Sequence, residues 1–226
     1  MGKVWVYNWN HVRGGEGAAW GHSAIQVEGG AYISWWPESE NRQYMVDKSK
    51  NPKLAAFLGK VIGTTNIYKV RHRCHTSYLQ DVQAEGRQAD MVCEIANGVL
   101  NTDAIGRWWT GYAVEKASYH SIKKNCSTTV IRALRAGGSD SHLTVKNLGT
   151  KAQFLPTVDF FSKRTGWEPT DIVAYLRLLN RALGDAKVNL NGAPATTPPP
   201  RNLPVQGSGV AMCEEHGFPL MTCPNC

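Results

Sequence analysis

Two short segments contain the residue types from which a nucleophile and its base could be built. Gly21-His22-Ser23 precedes a segment that alternates apolar and polar residues, and Asn125-Cys126-Ser127 precedes a run with helical periodicity. At a helix N-terminus, free backbone N–H groups and the helix dipole favour a thiolate over a thiol. Cys126 is therefore the candidate nucleophile, and His22 is the candidate base that takes its proton.

The remaining interior histidines and cysteines lack such a setting. His120 is the main rival to His22, because it lies shortly before Cys126 in the sequence. Cys74 and Cys93 are predicted to be buried structural residues, since unpaired cysteine is among the residues most often found in cores. The tryptophan pair at 35–36 is likewise predicted to serve packing.

Four side chains near the C-terminus have the spacing of a zinc site: Cys213, His216, Cys223 and Cys226. Three thiolates and an imidazole are suitable ligands for a closed tetrahedral structural zinc. Such a short tail could not fold on apolar burial alone, so metal would supply its stability. We therefore expect structural zinc in the tail, which is also a candidate for binding a protein partner, and no metal in catalysis. The alternative is a disordered tail with incidental cysteines.

The elements that must position His22 and Cys126 can be predicted from local patterns. Residues 4–9 alternate as a strand, and residues 21–28 and 31–36 form a hairpin around Gly29-Gly30. Cys126 heads a helix that ends at Gly137-Gly138. This arrangement places His22 at the mouth of a hairpin and Cys126 at a helix start.

Two longer helices are predicted elsewhere. One runs from about Ser77 to Asn97, with Leu79 and Val82 on its inner face and Gly86 as a weak point. The other begins at Thr170 and Asp171, which act as its cap. Helix and strand signals thus alternate along the chain, which indicates an α+β protein.

Composition divides the 226 residues into a globular part and a tail. Residues 1–184 are predicted to form one domain, 185–209 a Pro/Gly-rich linker, and 210–226 the zinc-binding tail. No apolar stretch approaches the roughly 20 residues of a membrane span, and the N-terminus opens into a strand pattern, so we expect neither a transmembrane segment nor a signal peptide and place the protein in the cytoplasm. The net charge is +7, but the basic residues are scattered, and no sequence-specific nucleic-acid binding is expected.

The order of these motifs resembles the circularly permuted papain-like superfamily, in which the histidine precedes the cysteine. That superfamily includes NlpC-type peptidases and the lecithin:retinol acyltransferase group. The Gly-His-Ser start, the Tyr-Ile-Ser-Trp-Trp-Pro strand and the Asn-Cys-Ser helix also resemble bacterial effectors that acylate or cleave host proteins. The resemblance implies a small antiparallel sheet packed on helices, and an effector exported without a signal peptide.

The resemblance also implies a third residue that orients the histidine. In the retinol-acyltransferase-like group, this polar residue lies on the strand after the histidine, at the position of Ser34. Serine is a weaker partner for imidazole than a carboxylate, so Glu38 and Asp47, just past the strand, remain alternatives.

The expected function is thiol-dependent acyl chemistry. The Cys126 thiolate would attack an amide, ester or thioester of a protein, peptide or lipid-like acyl substrate, and water or an amine would then accept the acyl group. Hydrolase and acyltransferase therefore both remain open, with a thiol protease among the hydrolases. The alternative is a non-catalytic papain-like interaction module with a zinc-binding tail.

Overall fold

The computed structural model describes residues 2–10, 21–37, 69–70, 72–114, 119–120, 124–148, 161, 166–192 and 194. Their strands are β1 (Val4–Trp9), β2 (His22–Val27), β3 (Tyr32–Pro37), β4 (Lys69–Val70), β5 (His72–His75), β6 (Met91–Ile95), β7 (Tyr119–His120) and β8 (Val188–Asn189). Their α-helices are α1 (Tyr78–Glu85), α2 (Thr102–Val114), α3 (Cys126–Ala136), α4 (Val145–Leu148) and α5 (Pro169–Ala182), with a 3-10 helix at Ser139–His142.

An antiparallel sheet with the strand order β5-β3-β2-β1-β6-β8 forms the framework. Strands β2 and β3 form the predicted hairpin, and Gly29 takes the positive φ of 64° that its turn needs. Residues of β1 and β2 pair in register from Val4 and Val27 to Trp9 and His22. His22 therefore lies at one end of the sheet, where the strand pair closes.

Both faces of the sheet are covered, by clusters of different size. Side chains alternate along each strand, so β1 directs Val4 and Val6 to a large core that also contains residues of α2, α3 and α5. The opposite face of β1 contributes Trp5, Tyr7 and Trp9 to a smaller, mainly aromatic cluster, against which Tyr78 and Val82 of α1 pack. A residue at the end of β2 can thus meet groups from both layers.

Helix α3 has the start and the end that the sequence predicts. The Asn125 side chain caps it by accepting a 2.8 Å hydrogen bond from the Thr128 N–H, and Cys126 is its first residue. Val130, Ile131 and Leu134 face the large core. At the other end, the Gly137 N–H bonds to the carbonyl oxygen of Ala133.

The helix predicted from Ser77 to Asn97 is wrong in its second half. Helix α1 ends at Glu85, because Gly86 takes a left-handed conformation with φ of 68°. Residues 91–95 instead form strand β6, which pairs with β1. Leu79, predicted to face inward, is 62% exposed. The apolar residues before Gly86 belong to a helix and those after it to a strand. Their spacing along the sequence nevertheless fits one helical period, which explains the wrong prediction.

The C-terminal elements also differ from the prediction in detail. Helix α5 begins at Pro169, and Asp171 accepts a 2.8 Å hydrogen bond from the Glu168 N–H that precedes the helix. Strand β8 pairs with β6, so the sheet continues into the segment predicted as a linker from residue 185. The α+β class with an antiparallel sheet is confirmed, whereas the predicted tail lies outside the described residues. No helix in the described ranges is both long and apolar enough to span a membrane.

Candidate active site

Cys126 lies buried at the first position of α3, where it meets the end of β2. Burial alone would raise the pKa of its thiol. The charge of the His22 imidazole and a hydrogen bond to it lower that pKa instead, with help from the Ser23 backbone N–H and the Ser127 hydroxyl. The Ser127 Oγ is 3.9 Å from the Cys126 Sγ. These contacts therefore favour the thiolate of Cys126 over the thiol.

The other two cysteines of the described ranges show the opposite effect. Burial raises the pKa of Cys74 to about 12 and that of Cys93 to about 12, and Arg177 lowers the latter only in part. Neither has an imidazole partner among the causes of its shift. Burial raises the pKa of all three thiols, so burial does not explain why that of Cys126 is lowered. The difference comes from the groups around Cys126, above all His22.

His22 is 2% exposed and interacts with both Cys126 of α3 and Asp81 of α1. Its Nε2 lies 3.0 Å from the Ser34 Oγ and 3.2 Å from the Asp81 Oδ2. Because Nε2 is engaged there, Nδ1 is the ring nitrogen left for the Cys126 thiol. Burial would lower the pKa of His22, but the charges of Asp81 and Cys126 raise it to about 10. The two groups therefore favour each other's charged forms, the thiolate of Cys126 and the imidazolium of His22.

Asp81 of α1 is the residue that orients His22, and the sequence analysis did not identify it. It is fully buried, and its two carboxylate oxygens accept hydrogen bonds from His22, Tyr32, Ser34, Trp36 and His75. Burial would raise the pKa of Asp81, but the charge of His22 and the hydrogen bonds from its partners hold it well below its usual range. The charged Asp81 carboxylate thus pairs with the His22 ring and favours its imidazolium form.

Ser34, the predicted orienting residue, does contact His22, but it is not the terminal member of the chain. Its hydroxyl donates a 2.9 Å hydrogen bond to the Asp81 Oδ1. It therefore bridges the imidazole and a carboxylate instead of replacing one. The alternatives Glu38 and Asp47 lie outside the described residues.

Two other histidines bear on the assignment of the base, His75 and His120. His75, to which the sequence analysis gave no role, has its Nδ1 2.7 Å from the Asp81 Oδ1. The rival base His120 belongs to β7, which pairs with β4 in a separate two-stranded sheet. Cys126 interacts with His22.

A helical wheel for α1 contains the signal that could have revealed Asp81. Tyr78, Asp81, Val82 and Glu85 follow the i, i+3, i+4, i+7 spacing of one helix face. An acidic residue in the middle of an inward face requires a partner, because an unpaired buried charge is costly. The exposed Leu79 was assigned to the inner face instead, which hid this pattern.

Within the described ranges, no group of three or more histidine, cysteine, aspartate or glutamate side chains is arranged to hold a metal ion. Cys213, His216, Cys223 and Cys226 lie outside those ranges, so the tail zinc site stays a prediction.

Comparison with known protein families gives one match. A family model described as the IcsB middle domain matches residues 72–194, more than half of the chain. The matched region contains Asp81 and Cys126, whereas His22 precedes it. IcsB is a Shigella effector, which agrees with the resemblance to bacterial effectors. No curated protein and no solved structure shows significant similarity to the chain.

Proposed function

We propose, since this chain belongs to the family of the IcsB middle domain, that it is a thiol-dependent hydrolase or acyltransferase of a bacterial effector, with a permuted papain-like catalytic domain. Its substrate is an amide, ester or thioester of a protein, peptide or lipid-like acyl compound. The observation that carries the proposal is the buried chain of contacts from Cys126 through His22 to Asp81.

The first half of the reaction forms an acyl-enzyme. The Cys126 thiolate attacks the carbonyl carbon of the substrate, and a carbon–sulfur bond forms. As the tetrahedral intermediate collapses, the bond from carbon to the leaving nitrogen, oxygen or sulfur of the amide, ester or thioester breaks. The His22 imidazolium supplies the proton that the leaving group takes, and His22 becomes neutral. Asp81 holds the imidazole in place throughout, so it acts as a positioning residue.

The second half transfers the acyl group to an acceptor. Neutral His22 removes a proton from water or from an amine as that molecule attacks the thioester carbon. The carbon–sulfur bond then breaks, and the Cys126 thiolate and the His22 imidazolium are regenerated. Water as acceptor gives hydrolysis, and an amine gives acyl transfer.

Two features support this reaction over a structural role for Cys126. A cysteine that served packing alone would have its pKa raised by burial, as Cys74 and Cys93 do. A buried charged pair also needs compensation that an apolar residue would not, so its presence favours chemistry over stability. An interaction module has no need of a thiolate at this position.

The test is covalent labelling followed by substrate turnover. Iodoacetamide at pH 6.5 should modify Cys126 faster than Cys74 or Cys93, as peptide mass spectrometry measures, and His22→Ala should slow that modification. Incubation with p-nitrophenyl acyl esters should add the acyl mass to Cys126 and release p-nitrophenol. An added primary amine then divides hydrolysis from transfer through the ratio of acid to amide formed.

Cys126→Ala serves as the control for turnover, and circular dichroism shows that each variant is folded. Ester cleavage that survives in Cys126→Ala contradicts the assignment of the nucleophile. Labelling of Cys126 that is slow and indifferent to His22 contradicts the enzyme proposal and favours the interaction module.

A further inference from the structure

Trp36 contacts four residues of the site, which are His22, Ser34, His75 and Asp81. Its indole ring stacks on the His22 ring, with centroids 4.2 Å apart and planes 29° from parallel. The same ring also stacks on His75, with centroids 5.1 Å apart and planes 28° from parallel. The same residue donates its Nε1–H to the Asp81 Oδ1 at 2.7 Å and to the Ser34 Oγ at 2.9 Å.

The donors around Asp81 divide between its two oxygens. Ser34, Trp36 and His75 all donate to Oδ1. Tyr32 donates to Oδ2 at 2.5 Å, and His22 Nε2 lies 3.2 Å from the same oxygen. Three donors on Oδ1 fix the rotation of the carboxylate, and this rotation turns Oδ2 toward His22.

The His22 ring contacts two tryptophan rings, and one of them stacks on it face to face. Trp36 covers one side of the imidazole, and the Trp9 ring lies 5.4 Å away at a tilt of 46°. The face of an indole ring carries negative charge density and attracts cations, most strongly where water is excluded. A neutral imidazole in the same place would gain less from these rings.

We propose that Trp36 is a positioning residue of the thiol site, which holds Asp81 through its indole N–H and stabilises the His22 imidazolium through its ring face. This inference rests on the proposed function, because it assumes that the Cys126 and His22 pair performs thiol chemistry. It departs from the packing role that the sequence alone predicts for the tryptophan.

Several charged and titratable groups act on His22 besides the tryptophan rings. From α1 they are Asp81 and Glu85, from α3 Cys126, and from β3 Tyr32 through its bond to Asp81. His75 of β5 stacks on the Trp36 ring. A change at Trp36 leaves all of these groups in the chain, so the experiment isolates the indole.

Two substitutions separate the two contacts of Trp36. Trp36→Phe keeps an aromatic face and removes the N–H, whereas Trp36→Leu removes both. The pH dependence of Cys126 alkylation is measured in the full-length protein, together with the His22 pKa by NMR. The thiol pKa should rise from wild type to Trp36→Phe to Trp36→Leu, so the midpoint of the labelling profile should move to higher pH in the same order. The His22 pKa should fall in the same order.

Trp108→Phe is the matched control, because Trp108 is a partly buried tryptophan of α2 that stacks on Tyr112 at 4.8 Å. It should leave both pKa values unchanged. A wild-type profile in Trp36→Phe overturns the role of the N–H, and one in folded Trp36→Leu overturns the proposal as a whole. If Trp36→Leu does not fold, Trp36→Met takes its place. Wild-type labelling that is slow and independent of His22 would instead refute the proposed function.

Discussion

The protonation state of the thiol site depends on one buried carboxylate. Asp81 is buried, but the charge of His22 and the hydrogen bonds from its partners keep its pKa low, and its charge in turn favours a charged His22. The imidazolium in turn lowers the pKa of Cys126. The negative charge of Asp81 on α1 thus indirectly favours the nucleophilic thiolate of Cys126 on α3.

We expect the rate of Cys126 alkylation by chloroacetamide to level off at a lower pH than that of an ordinary thiol, since the charge of His22 lowers the pKa of Cys126. In His22→Ala the charge that lowers this pKa is lost. The rate should then rise about tenfold per pH unit, as for an ordinary thiol below its pKa. Stopped-flow or quenched labelling with mass spectrometry measures both profiles. Parallel profiles in the two proteins would contradict the ion pair.

Asp81→Asn should lower the free energy of unfolding at pH 7 by about 3 kcal/mol, because it removes one of the two negative charges that compensate the buried His22 imidazolium. The folded-state pKa of Asp81 is lowered, so its contribution to stability is present above the unfolded value of about 4 and is lost as pH falls below it. The difference between variant and wild type should therefore shrink below about pH 4. Urea unfolding followed by tryptophan fluorescence at several pH values measures this.

Asp103→Asn is the control for that series, since Asp103 is exposed in the first turn of α2. It should change stability by less than about 1 kcal/mol at any of these pH values. An Asp81→Asn variant that behaves like the control would show that the carboxylate is not charged in the folded protein.

At the scale of residues, the sequence indicates His22 and Cys126 as a pair but does not point to Asp81. Both residues lie at the start of an element with a strong local pattern, which a single sequence displays. Asp81 lies within a short helix and reaches His22 only because β3 and β5 bring Ser34 and His75 beside it. That proximity is a property of strand pairing, which spacing along the chain does not encode.

At the scale of elements, α3 is held against α2 at a very close approach. A Cβ placed on Gly137 would lie 2.8 Å from the Cδ1 of Ile105 and 3.3 Å from the Cβ of Leu100. The Asn101 N–H also bonds to the Gly137 carbonyl oxygen at 2.9 Å. A residue without a side chain is needed there for the two helices to meet.

Gly137→Ala should therefore destabilise the protein by about 1–3 kcal/mol, because the added methyl group overpacks the core. Gly111→Ala in α2 is the matched control, since a Cβ there meets nothing within 4 Å. The control should gain up to about 1 kcal/mol from helix propensity. Denaturant unfolding measures both changes, and a stabilised Gly137→Ala would refute the close approach.

The elements that the sequence predicted well are those with a complete local signal. Helix α3 has an asparagine cap and a terminal glycine, and the β2–β3 hairpin has its glycine turn. The error at residues 77–97 arose where one glycine separates a helix from a strand. Periodicity alone cannot distinguish a continuous helix from two elements whose apolar residues happen to share a phase.

At the scale of the whole molecule, the described domain and the C-terminal segment form separate questions. The family match ends at residue 194, which is also the last described residue. The four predicted metal ligands lie beyond both limits, so neither the fold nor the family explains them.

Full-length protein purified without chelator should contain about one zinc ion per chain, because three thiolates and one imidazole make a closed tetrahedral site. Truncation after residue 209 should remove the zinc and leave the circular dichroism of the domain unchanged. Inductively coupled plasma mass spectrometry measures the metal. Zinc retained by the truncated protein, or missing from the intact one, would refute the tail site.

Because Asp81 lies on α1, the rate of Cys126 labelling should also depend on whether α1 is docked on the sheet. Asp81 belongs to an eight-residue helix whose Tyr78 and Val82 pack on the smaller aromatic cluster, whereas Cys126 begins α3, whose Val130, Ile131 and Leu134 face the large core. Short elements of this kind can open as local cooperative units without global unfolding. Detachment of α1 would withdraw the carboxylate while Cys126 stays buried, and its reactivity would fall. Alkylation kinetics in dilute denaturant would then report the local opening equilibrium of α1, at concentrations where the remainder of the protein is still native.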